Sequence, residues 1–476
     1  MKKCIVITLL LIVSLFFVSD SFAEVTFDYG ASLRVRQEIW DNLLDLKTLN
    51  PVTPDINFLR FKLSLWGSAN YNKDTSLFLK LTAEPYIWIG PLKPKSSGTE
   101  TTSLDENEGV IDNLYIKANK VFGLPVDLKI GRQDFWGSSE DMYGEGFLFS
   151  DGTPQDGSRT FYFNAARIRW HINEKNKVDF VYISNQFQDK YLPTWRTQIE
   201  NGLTYYDGKK YLDTSDSQAF VIYGRTKPID NLDLEPYYIW KKEEEGAIPL
   251  YSAPAVIPEL VLNTVGARAV YTSAPWTFGG EFAYQFGEYD GHKGTSQYAG
   301  QDRKGYGGYI FGKYKFADVK FKPELELRYV YLSGDDPDTS KNEDFDPLYS
   351  RQPYWNELLG YVMINEFIRE AAKIAFYWSN SQLFMAKVKM ALTPDTSLSL
   401  SYQYWMANEV AQPIPSRAAM FGKGDERGHL PTIFLTHKFN KNIDAFLQYK
   451  YFVPGDFYAD KAKNGQFLRW QIQFKI

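Results

Sequence analysis

Several stretches of the chain carry a charge at every second position. Arg34, Arg36 and Glu38 alternate with Leu33, Val35 and Ile39, and Arg60 and Lys62 alternate with Leu59, Phe61 and Leu63. Arg167 and Arg169 flank Ile168, and Glu324, Glu326 and Arg328 alternate with Leu325, Leu327 and Tyr329. A spacing of two puts each charged set on one face of an extended strand. In a dry core such charges would need partners, whereas against water they stay ionised and can meet a solute. A guanidinium matches a carboxylate with two parallel donors, so the chemistry these rows offer is reversible anion binding.

Other chemistry finds less support. The four histidines are His171, His292, His429 and His437, and only His429, opening a strand near one rim, could serve a nucleophile. There is no Gly-x-Ser-x-Gly, no His-x-x-x-His, no paired cysteine and no phosphate or dinucleotide fingerprint. No catalytic residue, metal or cofactor is expected. The formal net charge of −5 argues against a broadly basic nucleic-acid binder.

The elements that must position the charges are strands. Aromatic residues make up 17% of the chain and charged residues 23%, with a mean hydropathy of −0.37. That mixture suits strands facing lipid on one side and water on the other, with aromatic girdles at both interfaces. In 397–406, Leu398, Leu400, Tyr402, Tyr404 and Met406 oppose Ser397, Ser399, Ser401 and Gln403. Joints alternate along the chain. Long ones fall at 41–56, 90–109, 136–160, 189–215, 243–260, 289–303, 334–380, 409–428 and 454–465. Short ones, rich in Asn, Asp, Pro, Lys and Gly, fall at 72–74, 120–125, 173–176, 227–231, 273–276, 316–318, 393–396 and 440–442. The expectation is an all-β chain: a transmembrane antiparallel β-barrel of about 18 strands, with a count of about 16 left open, long extracellular loops and short periplasmic turns. A soluble antiparallel sandwich also alternates, but its turns would not sort into long and short by side. Segments 178–187 and 219–224 are apolar on both faces, which suits strands whose inner face packs on a loop folded into the barrel. Loop 334–380, the longest, is expected to act as a plug or a lid. Its acidic half carries a calcium reading only weakly, because the spacing matches no calcium-binding loop.

On that wall the inward face holds Arg34, Arg36, Arg60, Lys62, Lys80, Lys117, Arg167, Arg169, Arg268, Arg328, Lys387, Lys389 and Arg469, against Glu38, Glu84, Glu235, Glu281, Glu324 and Glu326. Arg132, in Gly131-Arg132-Gln133 at a strand end, joins the selectivity set. Two readings stand side by side: a basic track that concentrates anions, or charges that neutralise one another across the wall. Trp66, Tyr115 and Trp405 also fall on inward parity, either to stack on sugar rings or to pack a folded-in loop.

The ends complete the picture. Lys2 and Lys3, the apolar run 5–18 and Ser21-Phe22-Ala23 read as a signal peptide over 1–23, leaving a single barrel domain over 24–476. Cys4, the only cysteine, leaves with it. No later stretch approaches the ~20 apolar residues of a membrane helix. Leu468, Trp470, Ile472, Phe474 and Ile476 alternate to the terminus, a closing strand that barrel assembly machinery would read. These features place the chain in the outer membrane of a Gram-negative-type bacterium, in contact with lipid and with both termini periplasmic.

Four short motifs resemble the alginate export family of outer-membrane barrels: Gly131-Arg132-Gln133, the 151–159 stretch Asp-Gly-Thr-Pro-Gln-Asp-Gly-Ser-Arg, Phe345-Asp346-Pro347-Leu348, and Phe452-Val453-Pro454-Gly455-Asp456. Their order and spacing span most of the chain. The resemblance implies an 18-stranded barrel and export of an anionic uronate polymer through a basic pore. The expected function is passage of an anionic saccharide or polymer. The alternatives are a porin for small anionic solutes, or a sealed barrel with an adhesive or structural role.

Overall fold

The computed structural model describes residues 25–50, 55–89, 104–135, 140–150, 162–186, 192, 194–200, 203–206, 215–247, 256–291, 299–350, 355–356, 358, 378–411, 413 and 418–476. The expected signal peptide, the 151–159 motif and most of 353–376 lie outside the described residues.

Alternating sequence becomes a closed wall. Its strands are β1 (Thr26–Asp41), β2 (Ile56–Asn70), β3 (Thr75–Ala83), β4 (Leu104–Ala118), β5 (Val126–Gln133), β6 (Phe163–His171), β7 (Asn176–Asn185), β8 (Ser217–Ile229) and β9 (Leu232–Glu243). They continue as β10 (Leu260–Ser273), β11 (Trp276–Tyr289), β12 (Asp302–Lys315), β13 (Glu324–Leu332), β14 (Ser381–Thr393), β15 (Thr396–Met406), β16 (Glu426–Lys438), β17 (Ile443–Pro454) and β18 (Gly465–Lys475). Each pairs antiparallel with the next, and β18 returns to β1 from Ser32↔Lys475 to Asp41↔Gln466, closing an 18-stranded barrel without a free edge. Three short segments, Tyr86–Trp88, Thr194–Glu200 and Leu203–Tyr206, extend the wall beyond β3 and β4.

The joints sort by end, as their lengths predict. Short turns lie at one end, and three of them are built alike. Asn72 Oδ1 accepts from the backbone of Asp74 and Thr75, both at 2.8 Å. Asn173 accepts from Lys175 N at 3.0 Å, and Asn440 from Asn442 N and Ile443 N at 2.8 and 3.0 Å. A short amide side chain that mimics a backbone turn is why asparagine opens these joints. Thr26 and Ile476 lie at the same end, since Thr26 pairs with Asn70 beside the 71–74 turn and Ile476 exchanges hydrogen bonds with Ala31.

Parity decides the two faces. Leu33, Leu63, Leu65, Phe180, Phe220, Phe282, Ile310, Leu327, Phe384, Leu400, Ile433 and Leu447 are exposed, while Arg34, Arg36, Glu38, Arg167, Arg169, Glu281, Arg328 and Arg469 are buried. This is the reverse of a soluble protein: lipid is the outer solvent.

The lumen is not uniform. Residues 134–135 and 140–150 fold inside, together with 343–350 and Trp355, Leu358 and Trp378. Phe149-Ser150 pairs in parallel with Tyr349-Ser350, joining the two loops. Their rings bury against Val181, Ile183, Ala219, Val221, Tyr223, Tyr237 and Tyr309 of the wall. The two segments that read as apolar on both faces, the first as far as residue 186 and 219–224, therefore supply the inner surface on which the loops sit. The described part of the longest loop folds inward. It shares that task with residues 134–135 and 140–150, which have no periodicity to announce it.

Candidate functional site

The charged rows of β1 and β2 face each other across the ladder. Arg34 is opposite Lys62, and Arg36 is opposite Arg60. Directly opposed like charges repel, so carboxylates must stand between them. Glu38 is fully buried and meets Arg36 at 3.3 Å, Arg60 at 3.7 Å and Arg469 of β18 at 3.2 Å. Glu84, just past β3, pairs with Arg34 and lies 3.1 Å from Arg60. Lys80 meets Asp112 at 2.7 Å and Asp134 at 3.9 Å. Among the described residues, six cations (Arg34, Arg36, Arg60, Lys62, Lys80, Arg469) thus meet four carboxylates (Glu38, Glu84, Asp112, Asp134) in this belt.

The surplus is turned towards an opening. A cavity of about 450 Å³ is lined by Arg34, Arg36, Lys62 and Lys80, with Ser32, Ser64, Gln471, Gln473, Phe434 and Phe446. Among the described residues, four cations and no carboxylate line it. Arg36 is aimed by two hydrogen bonds to Gln471 Oε1 at 2.6 and 3.0 Å. Fixed guanidinium and ammonium groups in a narrow, low-dielectric tube concentrate anions and repel cations.

Glu38 holds this belt together. Glu38→Gln leaves three guanidiniums around a neutral amide, and removing one partner of a buried charge cluster costs about 3–5 kcal/mol. A lower temperature for the gel-mobility shift between folded and unfolded barrel is expected, and an unchanged temperature contradicts this assignment.

The other predicted selectivity residues do different work. Arg167 meets Asp141 at 2.5 Å, and Arg169 binds Asp179 at 2.7 and 2.8 Å and the carbonyl of Glu140 at 2.6 Å. Arg328 bridges Glu326 at 2.9 Å and Glu145 at 2.8 Å, and Arg268 reaches Glu235 at 3.4 Å. Asp141 and Glu145 belong to the infolded loop, so Arg167, Arg169 and Arg328 dock that loop rather than line the cavity. Burial alone would raise the Glu145 carboxyl, but the Arg328 guanidinium outweighs it and holds the group below the usual glutamate range. Glu326 also takes Lys313 and Lys387 at 3.8 and 3.7 Å. Glu324 lies opposite Lys389 at the short-turn end. Arg132 is off the inward parity. Its guanidinium lies 3.8 Å from the Tyr162 ring centre and donates to the Ile111 carbonyl at 2.9 Å, a clamp near the long-loop end.

One expectation changes accordingly, and one left open is decided. Cations exceed acids less than parity suggested, because Asp134, Asp141 and Glu145 enter the lumen with the loop. Trp405 does not offer a ring to a solute, since it is fully buried against Phe452 at 5.8 Å. Residues that sequence reasoning missed are Asp112, Lys129, Asp141, Glu145, Asp179 and Arg225. Arg225 continues the parity of Ala219, Val221 and Tyr223 and was open to discovery. Asp112 was hidden by a register shift where Lys80 and Leu81 face Asn113 and Ile111.

His429 hydrogen-bonds Tyr402 through Nδ1 at 2.7 Å and Glu426 through Nε2 at 2.9 Å. Among the described residues no cluster of His, Cys, Asp and Glu forms a metal site.

A closed 18-stranded wall with arginine rows inside is the geometry against which comparison with known proteins is informative. The alginate export family matches residues 26–468, nearly the whole barrel. The chain belongs to the alginate export family. It is an outer-membrane β-barrel of the channel type, in contact with lipid and passing solute. Among solved structures it resembles Acinetobacter baumannii OccAB2 with a TM-score of 0.56 and 12% identity, over 96% of this chain and 99% of that one. Pseudomonas aeruginosa OccK8 (OprE) gives 0.54 and 10%, over 96% and 99%. Acinetobacter baumannii OccAB1 gives 0.53 and 11%, over the same shares. At these identities the likeness is one of fold. No curated protein matches the chain.

Proposed function

We propose that this alginate export family barrel passes carboxylate-bearing saccharide chains along the basic cavity between β1–β3 and β16–β18. The observation that carries this reading is the cavity lining: Arg34, Arg36, Lys62 and Lys80 with no carboxylate among the described lining residues. A polyanionic chain moving through it exchanges one weak, charge-assisted contact for the next, as conduction requires. Glu38 and Glu84 keep the guanidiniums partly neutralised, so that the cargo is held without being trapped. In this reading the short turns and both termini are periplasmic, β18 is the strand that assembly machinery engages, and the long loops face outward.

Current through the purified protein in planar bilayers tests it. Under a KCl gradient the reversal potential should show anion preference, and uronate oligomers should block the current.

A further inference from the structure

The lumen contains aromatic rings of two kinds. Those beside the infolded loops, such as Phe147, Tyr223, Tyr309 and Trp378, are almost completely buried. Three others, on neighbouring strands at the short-turn side of the basic cavity, are not. Trp66 of β2, Phe78 of β3 and Tyr115 of β4 form a row across the wall, and Trp66 is 36% exposed. Trp66 and Phe78 are 6.1 Å apart with planes 21° from parallel, and Phe78 and Tyr115 are 5.0 Å apart and 19° from parallel. The row ends at Lys129, whose Nζ sits 4.2 Å from the centre of the Tyr115 ring.

The wall is shaped to hold the row. Trp66 reaches across to β1 and lies on Gly30. A Cβ at that position would come within 2.5 Å of Trp66 Cζ2, so only glycine leaves room for the indole against the backbone. Phe78 shares an inward face with Lys80, and Trp66 with Ser64, and Lys80 and Ser64 both line the basic cavity. A shelf of near-parallel rings thus runs directly into a field of cations. Leaving aromatic surface in a wet lumen has a cost that a partner with an apolar face would recover.

We propose that Trp66, Phe78 and Tyr115 form a stacking station for the pyranose rings of the cargo, at the mouth of the conduit. A pyranose ring has an apolar face of C–H groups and polar edges. Laid on the shelf, its face covers the rings while an edge carboxylate reaches Lys80 or Lys62. The station hands each ring to the cations beyond it. This assignment rests on the saccharide reading above and adds a ring-recognising element that charge alone does not supply.

Block of single-channel current by two hexasaccharides separates the two. A neutral hexaglucose reads the shelf alone, and a hexauronate reads shelf and cations together. In Trp66→Leu and Phe78→Leu, block by both sugars should weaken about tenfold, while the KCl reversal potential stays at its wild-type value. Phe78→Tyr should retain block. Lys62→Gln should weaken only the hexauronate. A heat-shifted gel mobility confirms that each variant is a closed barrel. Wild-type block by neither sugar, or unchanged block in both leucine variants, overturns the shelf even if the channel is anion-selective. Loss of anion preference with intact hexaglucose block supports the shelf and removes the basic conduit instead.

Discussion

Lys62→Glu is expected to abolish the anion preference of the channel. The basic belt holds six cations and four carboxylates among the described residues, and this one substitution makes the numbers five and five. Adding Lys80→Glu makes them four and six, and the double variant should prefer cations. Lys62 is the residue to change because it lines the cavity opposite Arg34. Its role is thereby separated from those of Glu38 and Glu84, which hold the arginines. The reversal potential under a KCl gradient checks the result. If both variants keep the wild-type value, the current runs elsewhere in the lumen and the belt serves only stability.

Phe147→Ala is expected to release the infolded loop and raise conductance severalfold. Phe147 is fully buried at the centre of the inner cluster, 5.1 Å from Phe345, 5.6 Å from Tyr309, 5.9 Å from Trp378 and 6.4 Å from Trp355. Truncating such a ring costs about 3–5 kcal/mol. The strand hydrogen bonds of the wall do not depend on it, so the loss falls on the docking of 140–150 against 343–350. Among the links that remain, Arg328 to Glu145 and Arg169 to the Glu140 carbonyl are polar and can be exchanged for water. Single-channel records should show larger openings or frequent steps between two levels. A conductance equal to that of the wild type would mean that the loop does not narrow the path.

The wall was legible in the sequence because a membrane barrel obeys one simple period. Apolar residues at alternate positions must face lipid, and short and long joints must fall at opposite ends, so the strand order and a count of about 18, with about 16 left open, followed from pattern. The rows Arg34-Val35-Arg36 and Arg60-Phe61-Lys62 were legible for the same reason, and the structure brings them together. The inner partners were not. Asp141 and Glu145 lie in a loop with no period, and only the fold reveals that they turn inward to meet Arg167 and Arg328. The apolar inner faces at Val181 and Val221 signalled that something packs there without saying which loop. Arg132 joined the selectivity set through its motif at a strand end and not through parity, and it is found against Tyr162. Trp405 shows the remaining ambiguity: inward parity fixes direction, but a packed cluster or open water decides whether a ring can meet a solute.

The central claim, a conduit for carboxylate-bearing saccharides, is tested most directly by the reversal potential of the wild-type channel under a KCl gradient, measured before and after adding uronate oligomers. Such a conduit gives chloride preference, and a current that falls as the oligomer is added. Potassium preference, or chloride preference with no response to the oligomer, would contradict it.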